Sequence, residues 1–151
     1  MLDHITELRP FESAQAIKSI SMSDDVFAVH FPLFPVFPGA LILEGLVELG
    51  GWLLAASCAF SAEARLGSLL DVRFRHFVRP GDTLELDVCM MRRDELPDPD
   101  SGDETVWRMR GRVQAAGKVV CTVREMLLRE KATATEHGSR QRKELEELTR
   151  G

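Results

Sequence analysis

The stretch from His30 to Gly51, HFPLFPVFPGALILEGLVELGG, sets one histidine among three prolines and three phenylalanines and then places Glu44 and Glu48 in an apolar run. Histidine titrates near neutral pH and is the usual general acid or base, and a carboxylate in an apolar helix is pressed to hold or pass on a proton. Fourteen residues separate His30 from Glu44, with Gly39 between them where a helix is expected to begin. A helix N-terminus carries unpaired N–H groups and the positive end of the dipole, so the Gly39 N–H could receive a carbonyl oxygen that turns negative during reaction. Glycine at that point admits a substrate closely. The same residues also fit a hydrogen-bonded structural histidine and a paired glutamate, and spacing does not choose between these readings.

These residues need elements to hold them. Pro35 and Pro38 enforce extended backbone before them, Pro38 suits the first helical position, and a long apolar run starts at Gly39, which predicts one central helix with both glutamates buried in it. Ahead of it, SAQAIKSIS and VFAVHF read as two short strands joined by the polar turn MSDD. Beyond Arg65 the period drops to about 2: LGSLLDVRFRHFV sets Val72, Phe74 and the Phe77–Val78 pair against Arg73, Arg75 and Arg79. RPGD at Arg79–Asp82 is a turn signal, TLELDVCMM alternates, and TVWRMRGRVQA with KVVCTVREMLL forms a hairpin about Ala116–Gly117. One early helix followed by a run of antiparallel strands defines an α+β class.

At 151 residues, 44% apolar and 28% charged, the chain has the composition of one globular domain. A net charge of −5 and a pI near 5.4 argue against nucleic-acid or anionic-membrane binding. Cys58, Cys89 and Cys121 are odd in number and lack metal-ligand spacing, so they read as reduced thiols. The N-terminal MLDHITELRPFESAQ has no apolar run to serve as a signal or anchor, and Ala40–Phe60, though of spanning length, carries two glutamates and Gly50–Gly51. A soluble, cytoplasmic protein is expected. Arg93–Glu104, RDELPDPDSGDE, reads as a solvated acidic loop without calcium-loop spacing. Residues 1–130 read as one domain and 131–151 as a charged tail, either disordered or an exposed helix.

The His30–Gly51 stretch resembles the active-site signature of the 3-hydroxyacyl-acyl-carrier-protein dehydratases of the FabZ and FabA type, approximately H-F-P-x-x-P-x-x-P-G-x-x-x-x-E/D. The likeness continues through GSLLDVRFRHFVRPGDTLELDV and GKVVCTVREMLL and covers most of Asp3 to Leu128. It implies a hot-dog fold, an antiparallel sheet wrapped on one long helix, in a homodimer or larger even homo-oligomer with sites at the subunit interface. His30 of one copy would then face Glu44 of the other. The implied reaction dehydrates a 3-hydroxyacyl thioester on acyl carrier protein to the trans-2-enoyl thioester: His30 takes the C2 proton, Glu44 helps the C3 hydroxyl leave, and the Gly39 N–H polarises the carbonyl. The family pattern further implies that Phe31, Phe34, Phe37, Pro38, Glu48 and Phe74 line the substrate pocket. No metal or redox cofactor is implied, because the phosphopantetheine arm arrives with the substrate carrier.

Departures from the pattern are Leu33 and Phe34 in place of smaller or polar residues, Val29 for a common glycine, and Glu48 for a frequent glutamine. Arg73, Arg75 and Arg79 fall at even spacing and would share one strand face, either simply solvated or receiving the acidic carrier protein. An acyl-thioester hydrolase on the same fold and a noncatalytic acyl-carrier-binding subunit are the alternatives.

Overall fold

A computed structural model describes residues 1–29, 34–98, 102–133 and 135–150. In chain order the elements are β1 (His4–Arg9), β2 (Ser13–Ser19), α1 (Val26–Val29), α2 (Gly39–Ser57), β3 (Ala62–Phe74), β4 (Thr83–Asp98), β5 (Gly102–Ala115), β6 (Lys118–Ala132) and α3 (Thr135–Arg150). The strands form one sheet in the order β1-β2-β4-β5-β6-β3, antiparallel at each pairing.

The sheet wraps α2. Ile42, Leu46, Leu49 and Leu53 recur at helical spacing on the helix face turned to the sheet and are almost fully buried. They meet Leu84, Leu86, Val88, Met109, Val113 and Met126, which alternate along the central strands as period-2 strands require. Gly50 lets the helix settle here, because a β-carbon would lie 2.7 Å from the Met126 Cε and 3.0 Å from the Leu128 Cδ1. By length and hydropathy α2 could span a bilayer, but half of that stretch is buried inside the protein. It is the core helix of the domain.

Several expectations need correction. VFAVHF is not a strand: Val26–Val29 is a short helix, opened by the Phe27 N–H donating to the Asp24 carbonyl at 3.0 Å, while His30 and Phe31 lie outside the described residues. The strand β1 was not anticipated, because HITELR is short and mostly polar; it holds by pairing with β2 and burying Ile5. Phe77 does not join Val78 inside: Val78 is buried and Phe77 is 72% exposed.

The acidic Arg93–Glu104 segment is mainly strand rather than loop. Its carboxylates find arginines on neighbouring positions: Asp94 accepts from Arg92 and Arg108, and Glu104 from Arg129. Exposed pairs of this kind contribute only ~0–1 kcal/mol each, so they keep the charged ribbon paired rather than drive its folding. The tail contains α3, which packs against α2 and β1 through Leu145 and Leu148.

Candidate active site

The site is built at the N-terminus of α2. Pro38 stands in the cap position with φ −61° and ψ 132°, and its carbonyl accepts from the Leu41 and Ile42 N–H groups at 3.1 and 3.3 Å. The Gly39 N–H is at the first helical position, where the helix has no acceptor to offer it. The Phe74 ring, at the end of edge strand β3, packs directly on Gly39: a β-carbon there would stand 2.8 Å from its Cζ and 2.9 Å from its Cε1. Phe74 is itself 51% exposed, so this aromatic face borders solvent.

Phe34 is also half exposed. Its ring meets Phe77 edge-on with centroids 6.1 Å apart, and the Arg79 guanidinium lies over it at 4.9 Å. Phe77 is thus a member of the aromatic group that sequence reasoning placed in the core; the adjacent RPGD turn was the available signal that the strand pattern ends there. That turn is tied down by the Arg79 N–H donating to the Asp82 carboxylate at 2.8 Å and by reciprocal backbone bonds between Ile20 and the Gly81–Asp82 pair.

Phe37, expected on the pocket wall, belongs to the core. It is 4% exposed, stacks at 6.2 Å on Phe27, and donates its N–H to the Val78 carbonyl at 2.8 Å. His30 and Phe31 lie outside the described residues.

The two helix glutamates are not buried in the protomer. Glu44 projects outward and is exposed, because the sheet covers the opposite face of α2. Glu48 is partly covered, its carboxylate 2.8 Å from the Met1 α-ammonium, while the Met1 side chain occupies the space a β-carbon on Gly45 would need. An apolar helix sequence suggested burial, but one stripe of α2 is left for something other than the sheet.

The arginines do not form a single strand face. β3 ends at Phe74, so Arg75 and Arg79 follow it in the turn segment. Arg73 is held by Asp71 through two hydrogen bonds of 2.7 and 3.2 Å, and those bonds keep the Asp71 carboxyl below its ordinary range. Among the described residues, Arg75 and Arg79 have no carboxylate at salt-bridge distance.

An antiparallel sheet wrapped round one long helix, with exposed aromatics at the helix N-terminus and an outward carboxylate one turn on, is the hot-dog architecture. The FabA-like domain model matches residues 1–124, and the chain belongs to that family. It is 35% identical over 130 residues to a 3-hydroxyacyl-[acyl-carrier-protein] dehydratase FabZ of Sorangium cellulosum, covering 84% of this chain and 77% of that one. It is 40% identical over 93 residues to the FabZ of Lactiplantibacillus plantarum, covering 61% of this chain and 63% of the relative's length. In fold it matches the dehydratase heterocomplex ApeI:P from Xenorhabdus doucetiae at a TM-score of 0.60 and 19% identity, over 85% of this chain and 96% of that one.

Proposed function

We propose that this protein dehydrates 3-hydroxyacyl thioesters carried on acyl carrier protein to trans-2-enoyl thioesters, as a soluble cytoplasmic enzyme of fatty-acid biosynthesis. The observation that carries the reading is the α2 N-terminus: an unpartnered first-turn N–H at Gly39 on the same helix as an outward Glu44, in a chain of the FabA-like family.

In this mechanism the Gly39 N–H donates to the thioester carbonyl oxygen and stabilises the charge that grows there as the C2 proton leaves. His30 takes that proton, and Glu44 donates one to the departing C3 hydroxyl, so water and the enoyl thioester are the products. The thioester acidifies its own α-proton, so the mechanism calls on no metal or redox cofactor, and the phosphopantetheine arm enters with the carrier.

Two copies complete the site. Glu44 is exposed in the single protomer, and β3 presents an open sheet edge with Leu66, Leu70 and Phe74 each about half exposed. Pairing of two β3 edges covers those groups and brings His30 of one copy toward Glu44 of the other.

The test is incubation of the pure protein with a 3-hydroxyacyl carrier thioester, with His30→Ala beside it. Enoyl thioester from the parent and a loss of roughly 10²–10⁴-fold in the variant are expected. Free acid as product would make it a hydrolase, and an unchanged substrate would make it a binding subunit.

A further inference from the structure

Phe27 and Phe37 stand at opposite ends of the span that leads from α1 into α2. Their rings lie 6.2 Å apart, inclined by 50°, and both are at least 95% buried. Each is anchored separately through its backbone, Phe27 to the Asp24 carbonyl at 3.0 Å and Phe37 to the Val78 carbonyl at 2.8 Å. Asp24 is itself set in the turn by accepting the Ser21 N–H at 3.2 Å. A stretch of ten residues could otherwise reach about 33 Å, so this one aromatic contact closes the span. The span contains His30 by sequence, and Phe37 is followed at once by Pro38 and the α2 start at Gly39.

A four-residue helix cannot hold itself in water, so α1 depends on what its side chains bury. Phe27 is the α1 residue buried in the core cluster, and it is buried on Phe37. We propose that Phe27 is a positioning residue for the proton transfer: through Phe37 it sets the chain carrying His30 against the N-terminus of α2. The inference rests on the assignment of His30 and Gly39 made above. A base displaced by about 1 Å loses on the order of a hundredfold in rate, so such a contact acts on turnover more than on substrate affinity.

The experiment is a double-mutant cycle on the full chain, with 3-hydroxyacyl carrier thioester as substrate. Phe27→Ala should lower kcat at least about tenfold with KM within about twofold, whereas in the His30→Ala background the same substitution should change the residual rate by less than about twofold. Phe27→Leu is carried through the same cycle, with circular dichroism and thermal melts on each variant. It is expected to retain the fold and to show a smaller loss with the same disappearance of effect in the His30→Ala background. Equal losses in both backgrounds would make Phe27 a core residue only and overturn the proposal. Parent-like turnover by His30→Ala would instead overturn the assignment of the base, and the positioning role with it.

Discussion

The Phe74 ring lies so close over Gly39 that a β-carbon at residue 39 would stand 2.8 Å from its Cζ. Glycine is required by this contact as well as by any substrate approaching the N–H. Because the ring is half exposed it can swing aside, so Gly39→Ala should cost about 1–2 kcal/mol in stability and leave the fold intact. Turnover should fall further, since the new methyl stands before the N–H. Adding Phe74→Leu should restore Tm and not kcat; recovery of both would mean that the methyl acts only by displacing the ring.

Glu44→Gln keeps the side-chain shape but removes the proton donor, so kcat should fall with little change in KM. Glu48→Gln should be milder, because Glu48 faces the Met1 α-ammonium rather than the outward stripe of α2. A rise in KM alone for Glu44→Gln would make that residue a binding group, and comparable losses for both variants would refute the ranking.

Light scattering should return a dimer or a larger even assembly. The open β3 edge and its exposed Leu66, Leu70 and Phe74 are surfaces that a second copy covers. Leu70→Arg, placed on that edge, should shift the distribution toward monomer and lower turnover together. A single 17 kDa particle for the parent at micromolar concentration would contradict the shared-site arrangement.

Arg75 and Arg79 are the basic residues near the aromatic entrance that have no carboxylate at salt-bridge distance among the described residues, whereas Arg73 is occupied by Asp71. Arg75→Glu with Arg79→Glu should therefore lower kcat/KM for carrier-bound substrate and flatten its salt dependence. A short thioester analogue without the carrier should be spared, because attraction of this kind acts on encounter and is screened over about 8 Å at physiological salt. Equal losses for both substrates would assign the pair to the structure of the entrance.

Burial pushes the Cys121 thiol up from its usual 9.0 to about 11, and burial together with the nearby Glu130 carboxylate does the same at Cys58. A raised thiol stays protonated, so at pH 8 each holds roughly a hundredfold less thiolate than an ordinary cysteine. Iodoacetamide should label both far more slowly in the native protein than in urea, followed by mass spectrometry of the intact chain. Rapid native labelling of Cys121 would show that the β5–β6 region opens readily.

The sequence alone determined the central helix, the hairpins and the identity of the groups that do chemistry. Apolar residues at period 3.6 after Pro38 have one low-energy outcome, and Gly, Pro and Asp in RPGD impose a turn wherever they stand. Tertiary structure decided what those groups face. Whether Glu44 is buried depends on which stripe of α2 the sheet covers, and an almost wholly apolar helix carries no local mark of that choice. Phe37 and Phe34 are chemically identical and three residues apart, yet one is stacked on Phe27 in the core and the other lies open beneath Arg79. The acidic Arg93–Glu104 segment reads as loop until arginines from β5 and β6 come alongside to pair its carboxylates. Local propensity is a property of neighbours in sequence, while burial and charge pairing depend on residues tens of positions away that only the folded sheet brings together.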